Sequence, residues 1–264
     1  MFDRFLRHIN EKSASVATFD AAHIESFFNE MDKRTAPGTS TRLRYIKMLH
    51  RLCRHLVEIG LRTGNPAAEL SAFDRWPEDE PQPVFLDPAA DQRLQAWTEP
   101  SALDDPRMQR NRAIVALFMG TGISTGELRQ AQQRHLIIDD VRPNVYIPKR
   151  GPRHERRVTI PAFAVAALQR WTDSHRSGGD ALLFPAPGGD NTINDVLLGA
   201  IVNAAVEQIG IAARDMSPRI LRNTFARRQL LAGRSNEDTS QILGLISHRT
   251  VTRLRATISG PGGA

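Results

Sequence analysis

Cysteine and tyrosine are both scarce in this 264-residue chain, and each shortage excludes a class of protein. The single cysteine, Cys53, excludes an internal disulfide framework and fits a reducing cytoplasm. The only tyrosines are Tyr45 and Tyr146. No stretch approaches the roughly 18 consecutive apolar residues of a membrane-spanning helix, and the first residues lack the apolar core of a signal peptide. We therefore expect a soluble, cytoplasmic protein without a membrane partner.

The spacing of metal ligands is missing as well. His154, His175 and His248 have no cysteine or histidine three or four residues away, which is the spacing that zinc sites use. We expect neither a metal nor another cofactor, and no small-molecule substrate.

Positive charge is in excess but unevenly distributed. Lysine and arginine together number 35, and aspartate and glutamate 29, which gives a net charge of +6. Residues 33–62 are basic, with Glu58 as their only acid; residues 74–105 are acidic, and the stretch after residue 216 is basic again. This order is expected for two DNA-facing modules joined by a segment that avoids DNA. Solvated faces that happen to differ in sign are the alternative.

Residues 1–70 are predicted to be all helical. The longest helix has Thr39 or Ser40 as its N-cap and ends at Gly60. One of its stripes is apolar at helical spacing, and the opposite stripe carries Arg44, Lys47, Arg51 and Arg54. Such a helix can lie against the backbone of a duplex, and an ordinary solvated row of arginines is the alternative.

A linker and a second domain are predicted to follow. Residues 71–88 hold four prolines and an acidic cluster, which indicates an extended linker. In residues 89–264 we predict helices near 89–97, 108–119, 162–174 and 191–209, a turn at 120–122 and a helix from Ser124. Three short stretches between residues 135 and 161 predict antiparallel strands. The fold class is therefore mainly α with a small antiparallel β-sheet.

The stretch from residue 216 to residue 257 is the one around which the second domain is organised. Ser217 and Pro218 predict a helix start, and Gly233 predicts a left-handed helix end. Two shorter helices are predicted around residues 238–243 and 251–256. Basic residues are more frequent here than a solvated face needs: Arg219, Arg222, Arg227, Arg228, Arg249, Arg253 and Arg255. The stretch is therefore a phosphate-facing surface or the remnant of one.

Several motifs, in this order, resemble those of the tyrosine recombinase (phage integrase) family. L-R-T-G-N-P at 61–66 is similar to the exit from the family's helical core-binding domain, and A-L-F-M-G-T-G-I-S-T-G-E-L at 116–128 is similar to a segment ending in T-G-L-R-x-x-E-L. L-L-F-P at 182–185 and S-P-R-I-L-R-N-T-F-A at 217–226 match later landmarks, the second resembling H-x-L-R-H-T-F-A. The resemblance implies a DNA-binding core-binding domain in residues 1–70 and a recombinase-like catalytic domain in residues 89–264.

The resemblance also implies a chemistry, of which most residues are replaced here. In the family a tyrosine attacks a DNA phosphate, two arginines hold its oxygens, a hairpin lysine protonates the leaving oxygen, and two histidine-class residues assist. The matching positions are Ser124 for the first arginine, Arg222 for the second, Arg219 and Leu245 for the histidines, and Leu254 for the tyrosine. The hairpin lysine falls on Gly151, with Lys149 and Arg150 as alternatives if the hairpin is longer.

No shift of register supplies the missing tyrosine. If His248 takes the later histidine position, the nucleophile position becomes Thr257. Tyr45 lies in the predicted helical domain and Tyr146 in a predicted strand. Loss of one preorganised charge-stabilising donor costs roughly 10²–10³ in rate, and leucine cannot attack phosphorus. We therefore expect no ordinary strand cleavage. The glycine-rich tail after Thr257 is also not expected to dock on a neighbouring subunit.

Three functions fit the sequence. The first is a catalytically inactive, nucleoid-associated DNA-binding protein that clamps a duplex between two domains, with an active recombinase from the same locus as a candidate partner. The second is an active recombinase that uses Tyr146, Ser247, Thr250 or Thr257, and the third is a protein-interaction module. For the first, the expected phosphate contacts are Arg42, Arg44, Lys47, Arg51, Lys149, Arg150, Arg219 and Arg222. The alternatives are a structural ion pair for Arg222 and a helix-start surface position for Arg219.

Overall fold

The computed structural model describes residues 2–33, 41–68, 70, 82–151, 153–189, 191–212 and 217–259. Its chain divides into two compact units, Met1–Gln82 (unit 1) and Pro83–Ala264 (unit 2). Most of the predicted linker, the two proposed N-caps Thr39 and Ser40, and Met216 lie outside the described residues.

Unit 1 is helical, with helices α1 (Phe2–Glu11), α2 (Ala21–Asp32) and α3 (Thr41–Glu58). Its core is aromatic: the Phe5 ring packs edge-on against Phe19 at 5.1 Å and against Phe27 at 5.3 Å between centroids. Such pairs favour perpendicular rings because the positive ring edge meets the negative face. The buried side of α3 includes Cys53, which is completely buried, so the apolar stripe expected on this helix faces the core.

Unit 2 is mainly helical, and one of its helices contains an apolar, buried segment. The helices of this unit are α4 (Pro88–Trp97), α5 (Pro106–Thr121), α6 (Thr125–Leu128), α7 (Ala162–Ser174), α8 (Asp195–Gln208), α9 (Pro218–Leu231), α10 (Asn236–Ile242) and α11 (Arg249–Ser259), with a 3₁₀ turn at Gln133–His135. Asp105 caps α5 by accepting from the amide of Met108 at 2.6 Å. Residues 113–119 of α5 have no exposed surface, so this helix is the centre of the unit 2 core.

The turn predicted at residues 120–122 is shorter in the structure. Helix α5 continues through Thr121, whose buried hydroxyl donates to the Leu117 carbonyl oxygen at 2.6 Å and accepts from the Ile123 amide at 3.3 Å. Only Gly122 has a left-handed backbone, with φ +59°. A glycine at that position ends the helix at little conformational cost.

The predicted antiparallel sheet is confirmed, and with it the mainly α fold class. Strands β1 (Leu136–Ile137), β2 (Asn144–Ile147) and β3 (Arg156–Thr159) lie in the order β1-β2-β3. Val145 pairs with Val158 across β2 and β3, and both side chains are buried against the core. Between these strands, two backbone hydrogen bonds join Arg150 and Arg153, and we call this connection the β2–β3 hairpin.

The C-terminal helices follow the predicted pattern. Helix α9 begins at Pro218 after Ser217, and Gly233, at φ +88°, lies just beyond its end. Ser235 caps α10 by accepting from the amide of Asp238 at 3.0 Å. Helix α11 packs on α9 and buries Leu254 completely. Among all described residues, no helix is both long and apolar enough to cross a membrane.

Candidate functional site

A buried carboxylate, Glu127, is at the centre of the most highly charged region of unit 2. The Arg156 guanidinium donates to both of its oxygens, from Nη1 to Oε1 at 2.9 Å and from Nη2 to Oε2 at 3.0 Å. The two side chains are only 3% and 8% exposed. Arg156 Nε also donates to the Ile242 carbonyl oxygen at 2.7 Å. This two-pronged geometry is the strongest that an arginine and a carboxylate can adopt, so β3 is tied firmly to α6 and α10.

The helix start at Ser124 supplies two further contacts of the carboxylate. The Ser124 amide donates to Glu127 Oε2 at 2.9 Å and its hydroxyl donates to the same oxygen at 2.7 Å. Burial raises the pKa of Glu127, but the hydrogen bonds and charge of Arg156, together with the Ser124 donors, lower it more, to about 2. Glu127 is therefore a permanent anion at neutral pH.

Arg222, on α9, is fixed beside this carboxylate. Its Nη1 donates to the Gly122 carbonyl oxygen and its Nη2 to the Leu243 carbonyl oxygen at 2.6 Å. Nη1 also lies 3.9 Å from Glu127 Oε2. Burial lowers the pKa of Arg222, the Glu127 charge raises it and the neighbouring arginines lower it again, to about 10. The guanidinium therefore stays charged at neutral pH.

The close approach of α9 to the turn after α5 depends on Gly122. A β-carbon at this residue would lie 2.8 Å from Leu243 Cδ2 and would collide with the Phe225 ring. Its positive φ would also strain any other residue. Because residue 122 has no side chain, α9 can approach the turn closely enough for Arg222 to donate to the Gly122 carbonyl oxygen.

The β2–β3 hairpin adds a third arginine to the carboxylate. Arg153 Nη1 donates to the Ser124 hydroxyl oxygen at 3.1 Å and lies 3.5 Å from Glu127 Oε1. Arg150, at the other side of the hairpin tip, donates to the Gly126 carbonyl oxygen, and Lys149 is exposed. We call Ser124, Glu127, Arg153, Arg156 and Arg222 the Glu127 cluster.

Only two members of this cluster, Ser124 and Arg222, were assigned a role from the sequence. Ser124 and Arg222 both lie beside Glu127. The ion pair with this buried acid fits the structural alternative for Arg222, and its contact with phosphate stays a prediction. Glu127, Arg153 and Arg156 were given no role. One signal was available: an acid within the apolar G-I-S-T-G-E-L segment needs a cationic partner once it is buried.

The other positions assigned by resemblance differ in exposure. Arg219 is exposed in the first turn of α9, as its surface alternative predicts. Leu245 is half-buried and packs against the unit 2 core, whereas Leu254 is completely buried. The residue in the nucleophile position is therefore part of the core.

The candidate nucleophiles were Tyr146, Ser247, Thr250 and Thr257, whereas Tyr45 was assigned to the predicted helical domain. Tyr45 is buried in unit 1, 4.8 Å from the Phe27 ring centroid. Tyr146 donates to Glu155 Oε2 at 2.7 Å, and this hydrogen bond raises the pKa of the phenol, so its attacking anion is disfavoured. Thr257 donates its hydroxyl to the Leu254 carbonyl oxygen at 2.6 Å.

Ser247 and His248 are adjacent in the sequence, but their side chains do not form a nucleophile–base pair. His248 Nδ1 lies 3.0 Å from the Ser240 hydroxyl oxygen, while the Ser247 hydroxyl oxygen accepts from the Arg249 amide at 3.3 Å. A general base must reach the proton that it abstracts, and here the imidazole contacts a different serine.

Some of the arginines assigned to a phosphate-facing surface have structural contacts instead. Arg228 Nε lies 3.2 Å from Asp91 Oδ2, and Arg228 also donates to the Met119 carbonyl oxygen. The Arg227 guanidinium lies 4.6 Å from the Phe85 ring centroid. These two residues connect α9 to α4, α5 and the segment before α4, and so account for part of the basic excess in this stretch.

Unit 1 carries a second basic region along α3. Arg44, Lys47, Arg51 and Arg54 are exposed on the side opposite the core, and we call them the α3 basic face. Arg42, two residues before Arg44, is different: its Nη1 lies 3.5 Å from Asp32 Oδ2 and its guanidinium 4.9 Å from the Phe28 ring centroid. The structure thus confirms that the basic stripe is opposite the apolar one.

Among the residues that the structure describes, no group of three histidine, cysteine or acidic side chains could hold a metal ion. The carboxylate of Glu127 is surrounded by arginines, and this arrangement suits an anionic ligand of the cluster rather than a cation.

A family model and a known relative both indicate the same protein family for this chain. Residues 87–256, well over half of the chain, match the model of the phage integrase family. Tyrosine recombinase XerC of Xanthomonas axonopodis pv. citri (strain 306) is 28% identical over 231 residues, which cover 88% of this chain and 72% of that protein.

Two solved structures share the fold. A XerH site-specific recombinase bound to palindromic difH substrate, in a post-cleavage complex, has a TM-score of 0.72 at 16% identity and covers 94% of this chain and 72% of its own. The Tn1549 transposon integrase in complex with transposon right end DNA has a TM-score of 0.67 at 16% identity, covering 91% and 82%.

Proposed function

Since this chain belongs to the phage integrase family of tyrosine recombinases, we propose that it binds double-stranded DNA without cleaving it. It acts as an accessory or regulatory subunit in DNA recombination or integration, and its place is on the nucleoid. An active recombinase from the same locus is the partner that supplies strand cleavage.

One contrast within unit 2 carries this proposal. The position that matches the family's second arginine keeps a fixed cation, whereas the position that matches its tyrosine has no nucleophile. Arg222 is held by the carbonyl oxygens of Gly122 and Leu243, so its guanidinium is positioned before any ligand arrives. Leu254, in the position that matches the family's tyrosine, is buried and aliphatic. A fixed guanidinium can bind phosphate oxygens, but an aliphatic side chain cannot attack phosphorus. This combination supports binding without cleavage.

The choice of DNA as the ligand has two further supports. The Tn1549 transposon integrase, which shares this fold, is in complex with transposon right end DNA. The α3 basic face also offers four exposed cations at helical spacing, which is how a helix contacts successive phosphates. The proposed phosphate contacts remain Arg42, Arg44, Lys47, Arg51, Lys149, Arg150, Arg219 and Arg222.

Binding is tested first without assuming a target sequence. A pool of random-sequence duplexes is selected against the whole protein, and the Kd of an enriched duplex is measured by fluorescence anisotropy at increasing salt. We expect log Kd to rise linearly with log salt, because each phosphate contact releases counterions. Failure to bind any duplex, or affinity that does not depend on salt, would contradict the proposal and favour a protein-interaction module.

Cleavage is tested on the same enriched duplex. A nicked version traps any covalent protein–DNA intermediate, because the short strand beyond the break diffuses away. We expect no covalent band on a denaturing gel, with an active recombinase on its own site as the positive control. A covalent band with this protein would overturn the assignment of an inactive subunit.

A further inference from the structure

The three arginines around Glu127 differ in what remains available for a ligand. All three nitrogens of the Arg156 guanidinium already donate, two to the Glu127 carboxylate and one to the Ile242 carbonyl oxygen. Arg222 is 14% exposed and donates to two carbonyl oxygens. Arg153 is 36% exposed and uses Nη1 for both Ser124 and Glu127. The described part of the chain therefore presents Arg153 as the member of the cluster that is positioned by the protein and still open to solvent.

Ser124 makes the space that this guanidinium occupies. Arg153 Nη1 lies at hydrogen-bond distance from the Ser124 hydroxyl oxygen, which is one bond beyond the β-carbon of residue 124. A long side chain at position 124 would have to pass through the same space. The small residue at the start of α6 and the arginine on the hairpin are therefore complementary.

We propose that Arg153 supplies, from the β2–β3 hairpin, the phosphate-binding guanidinium that position 124 does not provide. The proposal rests on the DNA binding proposed above and assigns to this site a residue that the family pattern does not include. A guanidinium relocated in this way keeps the binding function of the site and reaches it from the hairpin instead of from the start of α6.

The charge of the cluster favours an anion beside Arg153. One carboxylate faces three guanidinium groups, and the charges of Arg153 and Arg156 both lower the pKa of Arg222. Like charges at this range repel more strongly where water is excluded. A phosphate that contacts Arg153 and approaches Arg222 relieves this repulsion and gains charge-assisted hydrogen bonds.

The hairpin is also held in a way that fixes where Arg153 points. Backbone hydrogen bonds join Arg150 and Arg153 in both directions, at 3.2 and 3.1 Å. The Arg150 side chain then donates to the Gly126 carbonyl oxygen on α6. The bonds across the hairpin and this contact with α6 therefore position Arg153 before DNA binds, which limits the entropy lost on binding.

The test is a relocation of the arginine. Three variants are compared with the wild type on the enriched duplex: Arg153→Ser, Ser124→Arg combined with Arg153→Ser, and Arg157→Ser as the control. Arg157 carries the same charge on the same hairpin, but its guanidinium lies 5.4 Å from the Tyr146 ring centroid and faces Asn144 instead of Glu127. The melting temperature of each variant is measured alongside.

We expect Arg153→Ser to weaken DNA binding about 10- to 100-fold and to lower the slope of log Kd against log salt by about 0.9, the contribution of one phosphate contact. Arg157→Ser should change neither quantity to this extent. The double variant should regain most of the affinity and the slope, because it returns a guanidinium to the same space. A purely structural role for Arg153 would lower the melting temperature and leave the salt slope unchanged.

The outcomes separate this proposal from the one that it rests on. If the wild type binds no duplex, the proposed function fails. If the wild type binds in a salt-dependent manner but Arg153→Ser and Arg157→Ser have equal affinity and slope, the role of Arg153 is overturned while DNA binding stands. Loss of affinity in Arg153→Ser without recovery in the double variant also overturns the relocation.

Discussion

The Glu127 cluster and the α3 basic face carry the same kind of charge but hold it in different ways. Arginines of the cluster are fixed by a buried carboxylate and by main-chain carbonyl oxygens, at distances such as 2.9 Å from Arg156 to Glu127. Those of α3 extend from an exposed helical surface, where Arg54 lies 3.5 Å from Glu58, an exposed partner. Exposed pairs of this kind contribute little to stability, because water and salt screen them.

This difference separates two tasks that positive charge can perform. A fixed guanidinium loses little freedom when it binds a phosphate, so it can define the position of one phosphate group. A row of mobile cations supplies affinity that depends on salt and on total charge, without a fixed geometry. Substitutions in the two regions should therefore separate folding stability from DNA affinity.

The largest effect is expected from Glu127→Gln. The change leaves the charges of Arg153, Arg156 and Arg222 without their shared carboxylate. Removal of one partner of a buried ion pair costs about 3–5 kcal/mol. Urea denaturation measures the loss as a lower midpoint. The matched control is Glu155→Gln, which removes an exposed carboxylate from the β2–β3 hairpin and should cost far less. Equal midpoints for both variants would contradict the buried role of Glu127.

A smaller effect of the same origin is expected from pH. The pKa of Glu127 is lowered from an ordinary 4.5 to about 2 in the folded protein. Its contribution is therefore fully present above the unfolded pKa and is lost as pH falls from 4.5 towards 2. The difference between these two pKa values corresponds to about 3 kcal/mol of unfolding free energy. The difference in unfolding free energy between the wild type and Glu127→Gln should shrink across this window, and a constant difference would show that the carboxylate is not held ionised.

Sequence patterns predicted much of the fold, because its elements are marked locally. Ser217 and Pro218 begin α9, and Gly233 follows its end, as their backbone preferences require. The hairpin strands were found from their short apolar stretches. The end of α5 was predicted two residues early, at Met119, because a Gly-Thr-Gly sequence resembles a turn, whereas the helix continues through the buried Thr121.

The candidate site was only partly predictable, since its contacts connect distant segments. Glu127 and Arg156 are 29 residues apart, and their meeting depends on the register of β2 with β3 and on how α6 packs. Likewise, Arg228 could be counted as a phosphate ligand until its contact with Asp91 was known. A basic residue in the sequence has a charge, but whether that charge faces a carboxylate or solvent is decided by tertiary packing.

The smallest effect on stability is expected on α3, where the effect on DNA affinity should be clear. Arg44→Glu combined with Arg51→Glu reverses two exposed charges on one side of the helix, and both side chains lie away from the core. We expect DNA affinity to fall at least about tenfold at low salt, and the loss to shrink as salt screens the charges. The melting temperature should stay close to that of the wild type, in contrast to Glu127→Gln.

Arg42→Glu, at another of the proposed phosphate contacts, ranks that residue against the α3 basic face. Arg42 already faces Asp32 and the Phe28 ring, so its charge is partly neutralised within unit 1. Its reversal should weaken DNA binding less than either Arg44→Glu or Arg51→Glu alone, and should lower the melting temperature more, because a glutamate would lie beside Asp32. If all three single reversals weaken binding equally, net charge alone explains the affinity and the α3 basic face has no defined contact with the duplex.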